Sequence, residues 1–148
     1  MTTTYKQIQL TNQNLQDVAV NQYIPLGKVT RRINAPYNCC NTFIVTSSTN
    51  DTLVINDPGF YKVTYSLTAT AAAAGEVTVN LVLDGTSIHS VTQTIVDEAN
   101  AVNLTIVYTI RVASNSASDP ANVPVTLQMQ NTGIALTGET ANLIVEKI

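Results

Sequence analysis

At 148 residues the chain has the length of one domain and can bury a hydrophobic core without disulfide or metal staples. Hydrophobic residues make up 45% and charged residues 11%, where soluble domains usually carry about 25% charge; Thr, Asn, Ser and Gln take the place of the missing ions. The net charge is −3 and the seven cations are dispersed, with Arg31-Arg32 the only adjacent pair, so the clustered basic surface of a nucleic-acid binder is absent. No apolar run approaches the ~20 residues that span a bilayer.

Residues 1–16 form a polar ribbon of four Gln, four Thr and two Asn, with Tyr5, Ile8, Leu10 and Leu15 as spaced apolar anchors. Three readings stand: a first strand, a disordered terminus, or an arm that orders against a partner. The docking arm, distinct from a domain over 17–148, is the working expectation. Met1-Thr2-Thr3-Thr4-Tyr5 lacks the charged-then-apolar order of a secretory signal. The expectation is assembly in a cytoplasm, unless a signal has been removed.

From there on, period-two alternation dominates, which buries one face of each strand. Strands are expected at about 18–24, 27–33, 42–46, 52–56, 60–71, 76–83, 87–95, 101–112, 123–130 and 141–147. Thr, Asn, Ser, Lys and Gln fill the alternate positions, as half-exposed antiparallel strands require. Asn56-Asp57-Pro58-Gly59 is a strong turn and Asp84-Gly85 a tight hairpin. Ala71-Ala72-Ala73-Ala74 is too short to nucleate a helix and reads as a strand end running into Gly75. A polar loop covers 114–120, and Thr137-Gly138-Glu139 precedes the last strand. So many short strands point to an all-β, two-sheet antiparallel sandwich or jelly roll.

Catalytic patterns are missing. His89 is the only histidine, and no Gly-x-Ser-x-Gly elbow accompanies it. Most carboxylates, such as Asp51, Asp57 and Asp84, fall in turns, where backbone chemistry favours Asp. Asp97-Glu98 lacks the spacing of a calcium loop. Cys39 and Cys40 are neighbours, a poor geometry for an intrachain disulfide and too few ligands for zinc. They read as small thiols at the start of a strand, with interchain bridging the alternative. The expectation is a protein without enzymatic activity, metal or cofactor.

The most specific stretch is Asn56-Asp57-Pro58-Gly59-Phe60-Tyr61-Lys62-Val63-Thr64-Tyr65, a turn into a strand followed by a Thr/Ala tract. It resembles the jelly roll of the complement-type and tumour necrosis factor-like superfamily. The nearest likeness within it is the C-terminal domain of collagen-like glycoproteins on bacterial spore surfaces. The ending Ala141-Asn142-Leu143-Ile144-Val145-Glu146-Lys147-Ile148 is similar to the last strand of that family. The resemblance covers about residues 40–148. No Gly-X-Y tract stands before it here. The block Ile24-Pro25-Leu26-Gly27-Lys28-Val29-Thr30-Arg31-Arg32-Ile33 looks instead like small proteins of phage structural gene clusters.

The resemblance implies a homotrimer in which the sheet holding 60–71, 101–112 and 141–147 turns its outer face to the threefold axis. With Tyr61, Val63, Tyr65 and Tyr108 facing the core, alternation places Lys62, Thr64, Val107, Thr109 and Arg111 on that outer face. The last strand presents either Leu143 and Val145 or Ile144 and Glu146. With the second choice, Ile144 and Glu146 join the interface and Glu146 can meet Lys62 or Arg111. Two functions follow as expectations. One is a phage capsid decoration protein on the virion surface, bound to the major capsid protein through Tyr5, Ile8, Leu10 and Leu15. The other is a head domain recognising a host receptor or glycan through loops such as 84–87 and 113–122.

Overall fold

A computed structural model describes residues 5–35, 42–45, 50–97, 100–114 and 122–148. Cys39, Cys40, Glu98 and most of the 114–120 loop lie outside the described residues.

The described residues form ten strands. These are β1 (Tyr5–Val18), β2 (Lys28–Ala35), β3 (Phe43–Val45), β4 (Leu53–Ile55), β5 (Gly59–Ala71), β6 (Gly75–Leu83), β7 (Thr86–Ile95), β8 (Ala101–Val112), β9 (Val125–Asn131) and β10 (Leu136–Lys147). They make two five-stranded sheets, ordered β2-β1-β10-β5-β8 and β3-β4-β9-β6-β7, with every neighbouring pair antiparallel. After β2 the chain passes repeatedly between the sheets, so each sheet is assembled from strands distant in sequence. The all-β two-sheet sandwich expected from the alternation is what forms.

The alternation also decides the core. In β5, Tyr61, Val63, Tyr65, Leu67, Ala69 and Ala71 are buried while Lys62, Ser66, Thr68 and Thr70 are exposed. β8 repeats the pattern with Val102, Leu104, Ile106, Ile110 and Val112. From the second sheet, Val77, Val79, Leu81, Val125, Leu127 and Met129 pack against them. Phe43 meets the Tyr61 ring edge-on at 5.9 Å, the geometry aromatic quadrupoles favour.

Two expectations are corrected. Within the expected arm 1–16, residues 5–16 are not apart from the sandwich, because 5–18 form β1, hydrogen-bonded between β2 and β10. Ile8 and Leu10 are 0% exposed within the core, so they cannot be the anchors of a capsid-binding arm. The side chains of Tyr5 and Leu15 lie outside those described. The second correction concerns 18–24, which is not a strand. β1 ends at Val18, Asn21 takes a positive φ of 66°, and the chain turns across the open end of the sandwich. There Ile24 and Leu26 plug the core, and their amides donate to Met129 O at 2.8 Å and Asn50 O at 2.7 Å.

Gly27 permits this closure. Its φ is +88°, and a Cβ there would stand 2.2 Å from Thr11 O. Only a residue without a side chain lets the returning loop press on β1 and then enter β2. At the other hairpin, Asp84 and Gly85 have φ of 49° and 79°, the paired left-handed conformation that joins two twisted strands most tightly.

Candidate interaction face

The outer face of the β2-β1-β10-β5-β8 sheet is built from strict cross-strand rows. Register places Ile33, Gln7, Glu146, Lys62 and Thr109 in one row, and Arg31, Gln9, Ile144, Thr64 and Val107 in the next. Thr11, Asn142, Ser66 and Thr105 make a third. All seven residues expected at an interface (Lys62, Thr64, Val107, Thr109, Arg111, Ile144 and Glu146) are thus brought onto one face. The open choice in the last strand resolves to Ile144 and Glu146 outward, because Leu143 and Val145 are buried.

The rows differ in chemistry. Lys62 stands directly opposite Glu146 on the neighbouring strand, where unlike charges attract. Next to it, Val107 is 57% exposed, and toward one end Phe60 is 54% and Ile148 73% exposed. The Arg111 guanidinium lies 6.0 Å from the centre of the Phe60 ring, within reach of a cation–π contact. In the third row the amide of Asn142 accepts from Gln9 Nε2 at 3.1 Å and from the Thr11 hydroxyl at 3.0 Å.

Below this face, Asp57 fastens three elements. Lys6 Nζ of β1 and Lys147 Nζ of β10 each donate to Asp57 Oδ2 at 2.8 Å. The Tyr61 hydroxyl donates to the Asp57 carbonyl at 2.6 Å. Partial burial raises the carboxyl, but hydrogen bonds and charge from the two lysines outweigh it and hold Asp57 below its ordinary range. Burial, and secondarily the Asp57 charge, pushes the Tyr61 phenol up.

A second polar group sits inside the sandwich. Glu139 of β10 is 0% exposed, and Asn12 Nδ2 of β1 donates to its Oε2 at 2.9 Å. Glu139 Oε1 and the nearby Tyr65 hydroxyl, both buried, have no hydrogen-bond partner. Burial pushes the Glu139 carboxyl up to about 7, against the pull of the Asn12 hydrogen bond. Burial, and then the Glu139 charge, raises Tyr65 far above an ordinary phenol.

His89 is half-buried on β7, with its ring stacked on Tyr108 at 4.7 Å and 22°. It bridges the edges of the two sheets. Among the described residues no group of three or more His, Cys, Asp or Glu is arranged to hold a metal ion.

With this geometry the chain is similar to several solved structures of low sequence identity. The globular domain of zebrafish complement 1qA protein superposes with a TM-score of 0.64 at 7% identity, over 95% of this chain and 94% of that one. Murine APRIL gives 0.62 at 11% identity, over 97% and 99%. PRD1 vertex protein P5 gives 0.59 at 12% identity, over 97% of this chain and 73% of that one. The fold is a jelly roll of the complement and tumour necrosis factor type. No protein-family model matches the sequence, and no curated protein matches it significantly. The jelly-roll fold implied by Pro58-Gly59-Phe60-Tyr61 is therefore the common ground with these structures.

Proposed function

We propose that the chain is a non-enzymatic assembly protein, a homotrimer closed through the β10-β5-β8 part of the outer face of the β2-β1-β10-β5-β8 sheet. The observation that carries this reading is the row of exposed Val107 and half-buried Thr64 and Ile144, flanked by Lys62 opposite Glu146 and by exposed Phe60 and Ile148 at the rim. A monomer gains nothing from leaving such apolar groups in water. A copy of the same face covers them, and the Lys62 and Glu146 rows of neighbouring protomers can then meet. Mass measurement in solution on wild type and Val107→Glu tests it. Wild type should have three times the chain mass and the variant one. A wild-type monomer, or a variant with unchanged mass, removes the reading.

The setting we infer is a virion, where the trimer decorates a phage capsid and contacts the major capsid protein. Likeness to a vertex protein supports this setting. Since Ile8 and Leu10 lie in the core, attachment belongs to a surface of the folded trimer. Genes for a major capsid or portal protein beside this one support the setting; a locus without virion genes argues against it. The second reading is a receptor- or glycan-binding head of a phage fibre or spore-surface protein. The nearly complete coverage of the complement globular domain and of APRIL favours it. The Asp84-Gly85 hairpin, held by Asp84 Oδ1 accepting from Thr126 N at 2.9 Å, would then form part of the binding end. Failure of the protein to co-sediment with capsids, together with binding to intact host cells, would select this second reading.

A further inference from the structure

A cleft of about 670 Å³ opens where β2 runs beside β1, in the size range of small-ligand sites. Gln9, Thr11 and Gln13 of β1, Lys28 and Arg31 of β2, and Asn50 line it. Its charge sets it apart from the other hollows of the surface. It carries two cations and no carboxylate among its lining residues, in a chain whose net charge is −3. Its remaining lining is hydroxyl and amide, with no aromatic ring.

We propose that this cleft binds a carboxylated sugar unit. Arg31 offers the planar fork that pairs with a carboxylate through two parallel hydrogen bonds, and Lys28 adds a second positive charge. Gln and Asn amides and Thr hydroxyls both donate and accept, which matches the mixed donor–acceptor rim of a pyranose ring. A nucleotide would need a stacking ring for its base, and the lining supplies none. The cleft is also held in shape before any ligand arrives. Gln9 and Thr11 are tethered to Asn142, and the Thr30 hydroxyl donates to Gln9 O at 3.3 Å. Gly27 fixes one wall by lying against the Thr11 backbone, closer than any side chain allows. Such preorganisation lowers the ordering cost of binding.

The cleft lies on β1 and β2, outside the β10-β5-β8 contact proposed for the trimer, so ligand binding is independent of assembly. The test is titration of the isotope-labelled full chain, followed by amide NMR shifts, with tetragalacturonate, uncharged maltotetraose and citrate as probes. Tetragalacturonate should give saturable shifts confined to residues 9–13, 27–31 and 50, and maltotetraose and citrate should not. Arg31→Gln should weaken tetragalacturonate binding by about tenfold and Lys28→Gln by a smaller factor. Both side chains are at the surface, and an unchanged melting temperature verifies that each variant folds. Three results would each overturn the proposal. They are no saturable shift with tetragalacturonate up to ~10 mM, equal binding of citrate, or wild-type affinity in a folded Arg31→Gln protein.

Discussion

Replacing Glu139 by Gln should stabilise the protein at alkaline pH and abolish most of the pH dependence of its stability between pH 5 and 8.5. In the native sandwich the Glu139 carboxyl is fully buried, with one oxygen bonded to Asn12 and the other without a partner. Burial raises its pKa from 4.5 to about 7. The sign follows from proton counting. Between these values the folded chain holds a proton that the unfolded chain has released, so raising the pH favours unfolding. The stability associated with this group is fully present below about pH 4.5, is lost as pH rises through about 7, and is flat beyond. A shift of this size corresponds to about 3 kcal/mol across the window, at ~1.4 kcal/mol per pH unit at most. Set against a domain stability of about 5–15 kcal/mol, that is a large loss.

Urea unfolding of wild type and Glu139→Gln at pH 5, 6, 7, 8 and 8.5 measures it. Subtracting the two profiles cancels every other titration, including that of Asp57. The wild-type midpoint should fall across the series while the Gln variant stays nearly level, leaving the variant ahead by ~2–3 kcal/mol at pH 8.5. Parallel profiles for the two proteins would refute the reasoning, because they would mean that the Glu139 carboxyl titrates alike in folded and unfolded chains.

Ile8→Ala and Leu10→Ala should each cost about 2–5 kcal/mol in urea unfolding, the cost of a core cavity; near-zero cost would restore the arm. Gly27→Ala should cost at least ~2 kcal/mol, since its Cβ meets Thr11 O at a positive φ. Asp57→Asn weakens the hold on Lys6 and Lys147 and should cost about 1 kcal/mol at pH 7. Because the Asp57 pKa is lowered, that contribution is present above pH 3.8 and fades as pH falls through the folded value, so wild type and variant should converge in acid. Glu146→Ala should make trimer dissociation less salt-sensitive than in wild type; equal trimer stability across salt concentrations would remove the Lys62–Glu146 contact between protomers.

What was legible in the sequence follows from where alternation runs uninterrupted. β8 from 101 to 112 was readable to the residue, because every even position is apolar and every odd one is polar or solvent-facing. The outer-face rows on β5, β8 and β10 were readable for the same reason. β1 was not, although Gln7-Ile8-Gln9-Leu10-Thr11 does alternate. Its next inward position is Asn12, a polar residue at 1% exposure, and register shifts separate Asn12, Gln16 and Val18. The same irregularity hid the first half of β10. Thr137-Gly138-Glu139 has turn composition, yet it lies within the strand, beside a register shift, with Glu139 pointing inward. Asn12 and Glu139 mask each other's strands because each is polar in a core position, and their pairing across β1 and β10 helps to make both tolerable. The cleft was equally hidden, since it gathers 9–13, 27–31 and 50 through a register that composition does not specify.

The low charge of the chain takes on a physical meaning on the outer face. A protein that buries a sheet face against copies of itself must remove that face from water, and ions there carry the largest desolvation cost. On the β10-β5-β8 part of the face the ionic groups stand off the Val107, Thr64 and Ile144 row: Lys62 with Glu146 in the next row, Arg111 beside Phe60, and Lys6 and Lys147 with Asp57 beyond them. Between them stand Thr64, Ser66, Thr105, Val107, Asn142 and Ile144, and Asn142 already bonds sideways within its own sheet, to Gln9 and Thr11 of β1. Polar groups paired before association lose little when water leaves, whereas unpaired ones would cost about 1–3 kcal/mol each. The Thr- and Gln-rich composition is therefore what a sheet needs in order to remain wettable as a monomer and still be covered cheaply by a neighbour. Substituting Asn142 by Leu tests this: loss of the acceptor should cost Gln9 and Thr11 their bonds to it at the margin of the contact. Trimer affinity should then drop despite the added apolar surface, and tighter association of the variant would show that burial of area, rather than prior pairing, governs the face.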